Sequence, residues 1–178
     1  MPAPDPHPLV RETLFGMFVG LLNAAGTAII ILLMALITTD VVARNLLGAP
    51  LPGVVEMSEA GIVMLVYLQV GHTLRVNRFI RSDGLLLVIQ ERRPHLAVAL
   101  GLFFNLTGAI LFFLICYAVR ERVGDAWSGE YFVGIQGMFT FPVWPIELAI
   151  LTGSAVMAVQ FAVFAASNAA SLARREKP

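Results

Sequence analysis

The run from Leu14 to Thr38 constrains this chain most, because no charged residue interrupts it. A helix over it reaches about 37 Å, enough to cross a hydrocarbon layer of about 30 Å with some tilt. Three more apolar stretches follow, near 54–74, 96–119 and 143–170. Composition makes the same demand. Hydrophobic residues are 58% of 178 and charged residues 13%, whereas a water-soluble domain carries about 25% charged residues. A domain of this size leaves roughly 30% of its unfolded surface exposed, so the excess cannot all be hidden in a core. The remaining solvent is lipid. The expected fold is an all-α membrane protein with four transmembrane helices.

Residues 1–13 read as a flexible, Pro-rich tail. They do not read as part of a signal peptide, because the apolar stretch that follows is too long and lacks a small-residue cleavage site. In the first helix Gly16, Gly20, Ala24 and Ala28 recur every four residues. Such a stripe lets another helix approach closely, and it equally matches the ordinary Gly and Ala content of membrane helices. Asp40 and Arg44 lie one turn apart and can pair. Gly48, Pro50, Pro52 and Gly53 then break the helix.

The uncharged centre of the second helix is short, so its span must include Val54, Val55 and an acidic first turn. There Glu56 and Glu59 share a face, where the helix dipole favours carboxylates. Gln69 and His72, also three apart, sit near its other end. Residues 75–95 form a basic connection holding Arg75, Arg78, Arg81, Arg92 and Arg93. Within it the stretch 84–90 is apolar but flanked by charge, with Asp83 before it and Glu91 and Arg92 after it, which suits a short amphipathic helix over about 83–92 lying in the headgroup plane. The third helix is expected to end at Arg120, with Asn105 and Thr107 as polar positions that bond a neighbouring helix. Residues 120–140 read as a connection whose Trp127, Tyr131, Phe132 and Phe139 suit a membrane interface. Pro142 and Pro145 read as the start of the fourth helix. Its residues Ser154, Ala158, Ala162, Ala166 and Ala170 repeat the four-residue stripe. Residues 171–178 are a basic tail.

Basic residues are distributed unevenly. The two tails and the 75–95 connection together hold nine; the other two connections hold three. The positive-inside rule then puts both termini in the cytoplasm, in agreement with an even number of spans.

Several chemistries lack their residues. The net charge of +0 gives no pull toward nucleic acid, and the lone Cys116 excludes an internal disulfide. A membrane haem needs histidines inside facing helices, and only His72 lies within a span. No metal-ligand spacing, catalytic set or cofactor loop stands out. Glu56, Glu59 and Glu147 fall near a boundary, where structural pairing is favoured over ion conduction. Translocating a polar solute needs polar groups near the midplane, so the chain reads as a subunit of something larger. An unrelated four-helix protein, such as a small channel or an assembly factor, stays open, as does a redox-complex anchor. The first of these predicts function without a partner.

The stretch 40–83 carries a resemblance. It reads Asp40-Val41-x-x-Arg44, Pro50-Leu51-Pro52, Glu56 and Glu59, Gly71, Arg75, then Arg78-Phe79-Ile80-Arg81-Ser82-Asp83. Later come Phe141-Pro142-x-Trp144, Glu147 and Gly153. This ordered set resembles the small membrane subunit, DctQ-like, of tripartite ATP-independent periplasmic (TRAP) transporters, over about residues 14 to 170. Two positions depart from the family pattern. Phe79 stands where a His is usual, and Gly53 where a Trp usually follows the Pro turn.

The resemblance implies a non-catalytic scaffold in the bacterial inner membrane that binds no substrate itself. A large DctM-like membrane subunit would carry the sodium and substrate sites and move as an elevator. A DctP-like periplasmic protein would deliver an organic anion such as a carboxylate, in sodium-driven symport. On this expectation Asp40, Arg44, Glu56 and Glu59 form a charge cluster for partner contact. Arg75, Arg78, Arg81 and Asp83 meet the lipid surface, and the two small-residue stripes are packing faces.

Overall fold

The structure, a computed structural model, describes residues 14–76, 94–129, 131–135 and 139–175. The basic connection beyond Val76, with Arg78, Arg81, Asp83 and the expected 83–92 helix, lies outside them.

Among the described residues four helices are long and apolar enough to cross a membrane. Helix α1 covers Leu14–Val42 and widens into one π-helical turn over Ala43–Leu47. Gly48, at φ 63°, ends it in the left-handed region that glycine enters without a Cβ penalty. Helix α2 covers Val54–Arg75. Its 22 residues, the acidic first turn included, reach about 33 Å. Helix α3 covers Pro94–Ser128 and helix α4 covers Trp144–Arg175.

Two local features differ from the sequence expectation. Helix α3 does not stop at Arg120 but runs two further turns to Ser128. Nothing in Arg120–Ser128 breaks a helix, and charge matters only to the membrane boundary. The connection after it holds strands that the sequence reading did not assign. Phe132–Ile135 (β1) and Phe139–Pro142 (β2) form an antiparallel hairpin, with Phe132 opposite Pro142 and Ile135 opposite Phe139. Pro142 therefore ends a strand rather than starting α4. It lies at a strand end, where its missing N–H costs little.

The helices pack as an open row, α1–α2–α4–α3. Helix α1 rests on α2 and runs antiparallel to it, with Gln69 over Gly26 and Leu33 over Gly61. Helices α3 and α4 are antiparallel as well, and Phe112 stacks on Phe161 at 5.8 Å. Helices α2 and α4 lie side by side in the same direction, because Tyr67 meets Gly153 and Gly71 meets Val156. Only 6% of the most apolar window of α1 and of α3 is buried, against 28% for α2 and 44% for α4. The core is correspondingly small: Leu74, Met157 and Phe161, with Val70, Ala109, Phe112 and Phe164 around them.

Lipid tails are as apolar as leucine, so close backbone packing rather than hydrophobicity has to hold such helices together. Gly153 shows this best. A Cβ built on it would run into the main-chain carbonyl of Tyr67.

Candidate functional site

Polar chemistry gathers at the two ends of the row. At the hairpin end, Asp40 is buried on the last turn of α1. Its Oδ2 accepts a hydrogen bond from Arg44 Nη2 at 2.8 Å, and its Oδ1 accepts one from the backbone N–H of Leu51 at 2.9 Å. One carboxylate thus ties the π-helical turn to the chain that leads into α2. Arg44 is held at one corner while most of its side chain stays exposed. A Cβ on Gly53, at φ 81°, would collide with the Phe139 ring, so the hairpin lies directly on the start of α2.

The expected four-residue charge cluster forms in part. Asp40 and Arg44 come together. Glu56 is half-buried and Glu59 exposed, and among the described residues neither shares an ion pair with Arg44. Glu147 does pair. It is buried in the first turn of α4, with Oε1 3.0 Å from Arg122 Nη2 on α3. Sequence reasoning names no partner for Glu147, because Arg122 stands at the expected end of the third helix, where the connection begins.

Beyond this pair α3, the hairpin and α4 border an open aromatic cleft of about 350 Å³, lined by Ala126, Trp127, Tyr131, Phe132, Pro142 and Trp144. The two indoles meet edge to face, with centroids 5.3 Å apart. Trp127, Tyr131 and Phe132 are exposed, as an interfacial position requires, whereas Phe139 turns inward onto Gly53.

At the other end, Arg75 closes α2 by laying its guanidinium over Gly16 and donating from Nη1 to the Gly16 carbonyl at 2.8 Å. Gln69, two turns earlier on that face, donates to Thr27 Oγ1 at 3.4 Å. Thr107 differs from expectation. It bonds the Phe103 carbonyl of its own helix and is exposed, while Asn105 is buried.

The stripes behave unlike the faces that hold the row together. Of Gly16, Gly20, Ala24 and Ala28 only Gly16 is buried, and nothing lies near Gly20. Of Ser154, Ala158, Ala162 and Ala166 only Ser154 is buried; Ala162 and Ala166 are exposed. A spacing of four rotates about 40° per step on a helix with 3.6 residues per turn. Each stripe therefore begins at a helix contact and turns outward. The chain's own contact on α1 follows Gly16, Val19, Gly26 and Leu33 instead.

Among the described residues no three His, Cys, Asp or Glu side chains come together as metal ligands. A family model described as "Tripartite ATP-independent periplasmic transporters, DctQ component" matches residues 33–171. No curated protein and no solved structure matches the chain.

Proposed function

The chain belongs to the DctQ family of TRAP transporter components, and we propose that it is the static scaffold for the large membrane subunit. The family assignment makes it a transporter component rather than an enzyme. The observation that carries the scaffold reading is the open row. Within this chain only 6% of the most apolar window of α1 and of α3 is buried, and many of their large apolar side chains are exposed, while the ends are tied by Asp40, Arg75 and the Arg122–Glu147 pair. A subunit pinned at both ends and bare along its sides offers a wall to a partner.

In this reading a DctM-like subunit packs on the row and moves substrate as an elevator. A DctP-like periplasmic protein supplies an organic anion such as a carboxylate, and a sodium gradient drives uptake. Both termini lie in the cytoplasm of a bacterial inner-membrane complex, as the distribution of basic residues supports. Arg44, Glu56 and Glu59 then sit on the periplasmic side, within reach of partners. Arg78, Arg81 and Asp83 sit at the cytoplasmic surface. The outward-turning members of the stripes, Ala24, Ala28, Ala162 and Ala166, are the close-approach positions for the large subunit.

Reconstitution tests this. The chain, the large subunit and the binding protein are placed in liposomes with an imposed sodium gradient, and solute uptake is followed with and without this chain. The scaffold reading expects uptake only with all three. Full uptake without this chain, or transport by this chain alone, would sink it.

A further inference from the structure

We propose that the aromatic cleft beside the Trp127–Trp144 pair binds the alkylammonium headgroup of a zwitterionic phospholipid. Four of its six lining residues are aromatic and none is basic. The two indoles touch edge to face, with centroids 5.3 Å apart and planes inclined at 72°, so an occupant lies against this pair and the Tyr131 and Phe132 rings rather than between the indoles. Aromatic faces carry the negative part of the ring quadrupole and attract a cation within about 6 Å of the centroid, tryptophan most strongly. An alkylammonium group satisfies both demands of such a site. Its carbons contact the apolar walls and its charge meets the ring faces. An anion would face the same negative surfaces without a basic partner. The volume, about 350 Å³, falls in the range of small-ligand pockets, which begins at about 300 Å³.

Depth selects lipid as the source. Charge reappears on α3 at Arg120, Glu121 and Arg122, after the uncharged run 96–119, and the Arg122–Glu147 pair carries that level across to α4. Trp127 lies five residues beyond Arg122, about 7.5 Å along the helix. The headgroup layer extends about 5–8 Å beyond the hydrocarbon on each side. The cleft therefore sits at headgroup depth, and the exposed rings of Trp127, Tyr131 and Phe132 face that layer. The inference stands apart from the transporter reading, because it uses only the cleft and its level in the bilayer.

The test is direct, because the chain has two tryptophans and both line the cleft. The full chain is placed in nanodiscs of phosphatidylglycerol, and tryptophan emission is followed as phosphatidylethanolamine or phosphatidylcholine is added at increasing mole fraction. A parallel series adds free tetramethylammonium chloride at matched ionic strength. We expect emission to change and saturate at a low fraction of zwitterionic lipid. Trp127→Ala leaves Trp144 as reporter and should raise the half-saturation fraction about two- to fivefold. Tyr131→Leu keeps both reporters and should raise it as well, and circular dichroism checks that each variant keeps its helices. A response linear in lipid fraction, or one unchanged in both variants, overturns the site. A response to tetramethylammonium without one to lipid overturns the lipid source. Emission that answers only to an added soluble partner protein makes the cleft a protein-docking surface and also overturns the proposal.

Discussion

The Asp40 carboxylate accepts the backbone N–H of Leu51, eleven residues ahead, at 2.9 Å. An acid at the end of a membrane helix thus serves as the tie that fixes where the next helix begins. Arg44 bonds the other oxygen, so the Asp-x-x-x-Arg pattern builds a corner.

This corner gives the first prediction. Asp40→Ala removes the acceptor for Leu51 and the partner of Arg44 together, and should lower the melting temperature of the purified chain. Asp40→Asn keeps an oxygen for Leu51 and should lower it less. Arg44→Glu sets two carboxylates against each other at the corner and should reduce both stability and uptake by the reconstituted complex. Wild-type uptake by Arg44→Glu would count against any role for this corner in partner contact.

The second prediction contrasts two glycines. Gly153→Ala drives a methyl into the Tyr67 carbonyl across the α2–α4 contact, and backbone cannot step aside as a flexible side chain can. Overpacking of this kind costs about 1–3 kcal/mol. Gly20 has nothing nearby, so Gly20→Ala should leave stability unchanged or raise it slightly through helix propensity. Thermal unfolding in one detergent reads both variants. Equal effects would mean that the α2–α4 contact is looser than described.

A third prediction separates internal packing from partner packing. Ala162 is exposed on α4, so Ala162→Leu should not change the melting temperature of the isolated chain. It should weaken co-purification with the large subunit if the stripe is a partner face. Unchanged assembly and transport would remove the stripe from the interface.

The fourth concerns the pair that ties α3 to α4. Glu147 is buried while Arg122 is largely exposed, so solvent screens the pair from one side. A double-mutant cycle with Arg122→Ala and Glu147→Gln should give a coupling of about 1 kcal/mol, nearer a surface pair than a buried one. A coupling near zero would leave the Arg122 contact without energetic weight.

These predictions show where the sequence was informative. Uninterrupted apolar runs revealed the four helices, because length against bilayer thickness is a one-dimensional criterion. The Asp40–Arg44 pair was visible because both partners lie on one helix. The order of the row was not, since helices apolar on every side do not show which face meets which neighbour. Regular spacing by four suggested contact faces, yet α-helical rotation carries those stripes away from the seam. The hairpin had left a signal: two short runs rich in aromatic and β-branched residues, Tyr131–Ile135 and Phe139–Phe141, flank three residues that include Gly137. The same aromatics also suit a membrane interface, and that reading accounts for them without a strand.

The last prediction concerns Gln160. It lies on the buried face of α4, 5% exposed, and both its Oε1 and Nε2 are buried without a hydrogen-bond partner. Leaving a buried polar group unsatisfied costs about 1–3 kcal/mol. Methionine has a similar volume and no amide, so Gln160→Met should raise the melting temperature. Gln160→Ala should lower it, because it removes volume from a packed face as well as the amide. This opposite pair isolates the polar penalty from packing. A lower melting temperature for Gln160→Met would show that the amide gains a partner in the membrane. Higher stability joined to slower uptake by the full complex would mean that the unpartnered amide serves transport, because proteins keep such costly groups where function needs them.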